Sequence, residues 1–245
     1  MTPSDNQRDR AVQGMFDRIA GRYDLLNRVI SFRLDARWRE QAIRSVLTVR
    51  SPLLLDLGSG TGDLTFAATK STGGQARVIG LDFSGRMLSL AQEKRQKTPY
   101  GHQTVFVLGS ALASPFRDAV FDGVMTAFVL RNVSDLARFF GQAYRVLRPG
   151  GRFVSLDMFP PSPGLFARFY GLYFYCMVPW IGALLSLDRD AYKYLSESVR
   201  TFHSAETVAD ILKGAGFRQV TVRRFLCGAV CMHVAEKSPT APKPA

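Results

Sequence analysis

Glycines at positions 58, 60 and 62 punctuate the run Leu53-Leu54-Leu55-Asp56-Leu57-Gly58-Ser59-Gly60-Thr61-Gly62-Asp63. They leave the backbone free to turn sharply and to approach a ligand without intervening Cβ atoms. The apolar residues around Asp56 suit a buried parallel strand, and a helix starting near Asp63 would aim its N-terminal amides at the same place. A second short apolar run, Val78-Ile79-Gly80-Leu81-Asp82, ends in a carboxylate 20 residues past Gly62. From there a carboxylate can accept hydrogen bonds from both hydroxyls of a ribose. The pattern therefore predicts a nucleoside-binding strand, turn and helix. A dinucleotide loop, the rival reading, would need a small third residue where Asp63 stands.

The elements that must position this loop follow from periodicity. A helical region over 12–49 precedes strands at 53–57, 78–82, 105–108, 121–127 and 152–157, separated by helix-compatible stretches such as 87–96 and 136–147. A further helix at 205–214 and closing strands at 216–224 and 229–236 complete a doubly wound α/β sheet. The Arg145-Val146-Leu147-Arg148-Pro149-Gly150-Gly151-Arg152 run predicts a helix end capped by glycine, turning into the fifth strand. Residues 1–11 and 238–245 are polar or Pro-rich and read as disordered ends, with no leader, around a single domain at 12–237.

Residues 159–187 are different in kind, being densely aromatic and without charge after Arg168. Pro179 and two glycines interrupt them, which argues against a membrane span and leaves an apolar lid touching lipid or a lipid-like substrate ahead of a helical core. The three cysteines lack metal-ligand or disulfide spacing, so no metal site is expected, and they read as small core hydrophobes in a reducing cytosol. A net charge of +12, spread over many arginines, fits an anionic membrane face, nucleic acid or plain solvated surface.

The Gly-x-Gly-x-Gly spacing resembles the first motif of class I methyltransferases. More specific are Tyr23-Asp24-Leu25-Leu26-Asn27, Leu130-Arg131-Asn132-Val133-Ser134-Asp135 and Tyr192-Lys193-Tyr194-Leu195-Ser196-Glu197-Ser198-Val199-Arg200. With these the chain resembles the quinone-biosynthesis C-methyltransferases from about residue 12 to 237. The resemblance implies a Rossmann-like, mostly parallel seven-stranded sheet with helices on both faces and an apolar helical lid insertion. It also implies S-adenosylmethionine as methyl donor, contacted through Gly58, Gly60, Thr61 and Gly62 of the loop, Asp82 on the ribose, and Ser110 with Ala111 beside the adenine. Asp56 could touch the donor's amino group or brace the loop. Ala127 replaces a serine frequent in relatives, and Asp35 stands where a histidine is usual.

The implied acceptor is a polyprenylated quinol, with demethylmenaquinol ahead of a 2-polyprenyl-6-methoxy-1,4-benzoquinol. Alternatives are another lipid, RNA, or a non-catalytic lipid-binding scaffold. An aromatic carbon attacks a methyl sulfonium only when an adjacent hydroxyl is deprotonated or polarised, so positioning and charge stabilisation carry the rate. Arg131 is expected to supply the electrostatic role and Asn132 the orienting one, the competing reading being a loop salt bridge and a helix cap. Tyr23 and Tyr194 either line the quinol pocket or simply pack. Location is expected at the cytoplasmic face of the membrane, with no nucleic-acid partner and with a homodimer admitted.

Overall fold

The structure, a computed structural model, describes residues 3–162, 164–177 and 189–239. Five parallel strands, β1 (Leu53–Leu57), β2 (Arg77–Asp82), β3 (Thr104–Leu108), β4 (Phe121–Ala127) and β5 (Leu147–Met158), are followed by β6 (Arg218–Phe225) and β7 (Val230–Glu236). Their order in the sheet is β3-β2-β1-β4-β5-β7-β6, with β7 antiparallel to both neighbours. The chain order reverses between β1 and β4, which opens a crevice at the carboxyl ends of those strands. Asp56 pairs in register with Gly80 and with Met125, so the ends of β1, β2 and β4 finish level beneath that crevice.

Eight helices surround the sheet among the described residues. They are α1 (Pro3–Ile30), α2 (Leu34–Val46), α3 (Asp63–Ser71), α4 (Gly85–Lys97), α5 (Leu136–Val146), α6 (Leu165–Gly171), α7 (Arg189–Arg200) and α8 (Ala205–Gly214). A π turn, Leu172–Met177, extends α6. Side-chain caps fix three starts: Ser84, Asp135 and Ser204 accept from the amides of Met87, Arg138 and Thr207. One core layer is aromatic, running Phe139, Phe140, Phe153 and Phe217 with successive ring centroids 5.5 to 5.6 Å apart. On the other face α2 packs Trp38, Ile43 and Val46 against Leu54, Met125 and Val154. A third cluster joins Met15, Ile19 and Leu26 of α1 to Phe174, Ala191 and Val199, above the strand ends.

Three expectations need correction. Helix α1 begins at Pro3, so residues 3–11 are helical where a disordered start was expected. The helix before β5 is not capped by glycine: it ends at Val146 because Leu147 turns extended (φ −71°, ψ 139°) and pairs with Phe121. Gly150 instead turns within a bulge, and a Cβ on Gly151 would lie 2.9 Å from the Asp122 carbonyl oxygen. Of the cysteines, Cys231 is buried as expected, but Cys227 is exposed at φ 51°. The apolar lid reading falls partly on residues 178–188, outside the described residues.

Phe140 is fully buried between the rings of Phe139 and Phe153. Phe140→Ala is expected to cost about 3–5 kcal/mol of unfolding free energy, measured by urea titration; a loss below about 1 kcal/mol would contradict this packing.

Candidate active site

The glycine loop is held from below. The amides of Gly58 and Ser59 donate to the Leu81 carbonyl at 2.8 and 3.1 Å, carrying the chain off β1 toward β2. Gly58 adopts φ +74°, and a Cβ there would meet Val129 at 2.5 Å, so the β4 loop closes directly over it. Asp82 Oδ2 accepts from the Gly60 amide at 2.8 Å, and Oδ1 accepts from the Ser84 amide at 2.9 Å. Burial raises the Asp82 carboxyl against these donors. Asp56, 1 % exposed, accepts from Thr65 Oγ1 at 2.6 Å. Its burial, with Asp82 nearby, pushes the carboxyl up to about 7 despite the opposing pull of Thr65 and Arg39.

A small cavity of ≈ 70 Å³ opens above this floor, bordered by Asp56, Gly58, Gly60, Asp82, Ala127 and Asn132. A larger one of ≈ 430 Å³ continues along Asp82, Ser110, Ala111 and Val133. Gly58, Asp82, Val129 and Asn132 border both, so the two form one elongated groove. Ser59 Oγ is buried in it without a hydrogen-bond partner. The groove fits a nucleoside with a polar tail: carboxylates at its floor, and at its far end exposed Ser110, whose Oγ also accepts from the Leu112 amide at 3.2 Å.

Thr61 borders the groove, but its hydroxyl is engaged elsewhere. It donates to Asp24 Oδ1 at 2.6 Å and accepts from Lys94 Nζ at 3.0 Å, while Lys94 is paired with Asp24 and Asp63. Thr61 thus ties α1 to the loop. Two more ties lie on α1: Gln13 Nε2 donates to the Phe83 carbonyl at 2.7 Å, and Asp17 accepts from Ser84 Oγ at 2.5 Å.

Beyond β4, a 3-10 turn at Leu130–Asn132 brings the remaining expected residues together. Asp157, wholly buried, accepts from the amides of Leu130 and Met158 at 2.7 Å each and is ion-paired with Arg131. The loop salt bridge is therefore real; yet Arg131 Nε is buried with no partner. The cap of α5 is Asp135, not Asn132. Asn132 Oδ1 instead accepts from Tyr194 Oη at 3.2 Å. Tyr23, Tyr194, Arg131 and Asn132 all border a pocket of ≈ 30 Å³, where burial raises the Tyr23 phenol and the Arg131 charge opposes that shift.

Arg131 also borders a fourth cavity of ≈ 230 Å³, walled by Ile30, Trp38, Phe128, Met158, Phe166 and Phe174 among others. Phe128 borders this apolar cavity and the groove above Asp56 and Asp82 alike. Arg39, not expected in the site from the sequence, stands at that partition. The Arg39 guanidinium lies 5.4 Å from the Phe128 ring centroid and is paired with Asp35, which accepts from Ser31 Oγ at 2.7 Å. The i, i+4 spacing of Asp35 and Arg39 on the buried face of α2 was the available signal.

The sheet order and the groove at its switch point define a class I S-adenosylmethionine-dependent methyltransferase. Solved structures with this fold include a SAM-dependent methyltransferase from Thermotoga maritima, with TM-score 0.65 and 19 % identity over 92 % of this chain and 99 % of that one. Another, from Aquifex aeolicus, has TM-score 0.61 and 19 % identity over 83 % of this chain and 92 % of that one. The sequence matches the ubiE/COQ5 methyltransferase family over residues 1–237, and the chain belongs to that family. It is 41 % identical to the demethylmenaquinone methyltransferase of Thermus thermophilus, over 91 % of this chain and all of that one. It is 39 % identical to the ubiquinone/menaquinone biosynthesis C-methyltransferase UbiE of Desulfotalea psychrophila, over 91 % of this chain and 88 % of that one.

Asp56 yields a pH prediction with a definite sign. Between the ordinary carboxylate value and about 7, the folded chain holds a proton that the unfolded chain has released, so stability falls as pH rises through that window. Asp56→Asn, which cannot ionise, should flatten this loss in urea unfolding of the donor-free protein at pH 5 and pH 8. An unchanged slope would contradict the buried, protonatable Asp56.

Proposed function

We propose that the protein transfers the methyl of S-adenosylmethionine to a ring carbon of a polyprenylated quinol, demethylmenaquinol being the preferred acceptor. The observation that carries this reading is the meeting of two unlike cavities at one turn: an elongated groove floored by the Asp56 and Asp82 carboxylates and an apolar, aromatic cavity, joined through Phe128, Arg131 and Asn132. The names of the relatives in the family support the same acceptor class.

S-adenosylmethionine supplies an electrophilic methyl carried on a sulfonium. In the reading proposed, Asp82 accepts from the ribose hydroxyls, Ser110 and Ala111 flank the adenine, and the loop at Gly58, Gly60, Thr61 and Gly62 follows the backbone of the donor. Asp56 accepts from the amino group, and Ala127 borders the path to the methyl. Arg131 Nε, buried and unpartnered, donates to the quinol oxygen on which negative charge develops. Asn132, steadied by Tyr194, orients that oxygen, and Tyr23 closes the ring pocket from α1. Dry, apolar walls strengthen each of these contacts.

The acceptor's isoprenoid chain brings the enzyme to a membrane surface. Exposed Phe32, Phe166 and Leu226 border the apolar cavity, and exposed Leu165, Phe169 and Leu172 lie beside them on α6 and its extension. Exposed Arg28, Arg33, Arg168 and Arg223 sit in the same segments, where they can meet anionic headgroups. No helix among the described residues is long and apolar enough to cross a membrane. The reading is a peripheral contact at the cytoplasmic face.

Labelled donor incubated with short-chain reduced demethylmenaquinone and the benzoquinol should mark the naphthoquinol ring; no label on either ring would overturn the assignment. Arg131→Lys, which keeps a cation beside buried Asp157 but removes Nε, should lower turnover by about 100-fold or more while donor affinity stays within a few-fold, and an unchanged turnover would remove Arg131 Nε from the chemistry. The double variant Phe32→Glu, Phe169→Glu should lose sedimentation with anionic vesicles. Equal binding by both proteins would contradict this membrane face.

A further inference from the structure

A cavity that only housed an isoprenoid tail would gain nothing from a carboxylate in its wall, because burying an ionised group is costly even when it is paired. Asp35 nevertheless borders the apolar cavity while only 4 % exposed. Its Oδ1 accepts from Ser31 Oγ at 2.7 Å and its Oδ2 is paired with Arg39. Each carboxylate oxygen retains a second acceptor position. Arg39 borders the donor-side groove and lies against Phe128, the ring that divides groove from cavity. The Asp35 and Arg39 pair therefore spans the partition across which a methyl must pass. Arg131 Nε, a buried donor without an acceptor, belongs to a side chain bordering the same apolar cavity. An acceptor with spare capacity and a donor that lacks an acceptor, set in a largely apolar wall, complement a ring that carries hydroxyl groups.

We propose that Asp35 is the base of the reaction: it takes the proton of the quinol hydroxyl adjacent to the carbon being methylated, and so makes the site selective for the reduced ring. This rests on the quinol reading given above. As the hydroxyl proton moves to Asp35, the adjacent ring carbon forms its bond to the methyl carbon. The methyl–sulfur bond breaks with its electron pair staying on sulfur, which becomes a neutral thioether. The ring carbon, now bearing both hydrogen and methyl, gives its proton to water, and Asp35 returns its own proton to the ring oxygen. The methylated quinol is restored and one proton is released per turnover. A quinone has ring oxygens but no O–H, so against Asp35 it sets acceptor against acceptor, and a site built to hydrogen-bond a hydroxyl rejects the partner lacking it.

The test compares wild type, Asp35→Asn and Asp35→Glu in three measurements. These are donor affinity by calorimetry, kcat with short-chain demethylmenaquinol, and binding of the quinol against the corresponding quinone by quenching of tryptophan fluorescence, Trp38 bordering the cavity. Asp35→Asn should bind the donor within about twofold of wild type, lose about 100-fold or more in kcat, and bind quinol and quinone about equally. Asp35→Glu should recover about tenfold or more of the lost kcat together with the preference for quinol. An Asp35→Asn protein that keeps kcat within about threefold and still prefers the quinol overturns the proposal. Should that variant fail to bind the donor, Asp35→Glu decides: catalysis retained with quinol preference supports the base, and catalysis lost with preference unchanged overturns it. A wild type that methylates no quinol ring overturns the acceptor reading itself, which separates the two failures.

Discussion

The geometry of the site depends on the buried carboxylate of Asp157. At the end of β5, and wholly out of solvent, it gathers the amides of Leu130 and Met158 and the guanidinium of Arg131. A carboxylate so placed is tolerable only when its lone pairs are satisfied, and removing one partner of such a pair typically costs about 3–5 kcal/mol. The three donors therefore dictate how the chain leaves β4. That exit carries Phe128, Arg131 and Asn132 to the boundary between the two cavities. The position of Asp157 is itself fixed by β7, which runs antiparallel beside β5 and sets Asp157 opposite Cys231. The inserted strand thus reaches the chemistry through one ion pair.

Helix α1 is the second organising element, and it serves both halves of the site. Gln13, Asp17 and Asp24 recur at spacings of 4 and 7, one helical face, and all three tie to the donor-side loops. Met15, Ile19 and Leu26 instead pack on α7 and the π turn around Phe174. Phe16 and Tyr23 border the polar groove and the small pocket beside Arg131 together. One helix therefore walls both the groove at the strand ends and the small pocket beside Arg131.

The sheet was legible because its strands are short apolar runs separated by helical periods. β1 and β4 fall at the expected residues, and the others lie within a few positions, apart from the earlier start of β5 at Leu147. The glycine loop was legible as a turn because the positive φ at Gly58, Gly60 and Gly62 demands that residue type. Other parts were hidden because pairing across distant segments leaves no local mark. Thr61 looked like a donor contact, but Asp24 and Lys94 claim its hydroxyl from 37 and 33 residues away. Pro149-Gly150-Gly151 looked like a cap, but the pairing of Leu147 with Phe121 ends the helix first. Arg131 and Asn132 were singled out by resemblance and Asp35 as a departure from it, whereas their meeting with Arg39 and Phe128 combines α2 with the loop after β4 and appears only on folding.

Whether the two cavities that meet at one turn hold donor and acceptor is tested most directly by a structure of the ternary complex. With S-adenosylhomocysteine and a short-chain demethylmenaquinol bound, the adenosyl group should lie along Asp82 and Ser110 and the quinol ring between Phe128 and Arg131. The isoprenoid should run past Trp38 toward Phe32. A ring held outside this junction, or a tail leaving through the groove beside Ser110, would contradict the account.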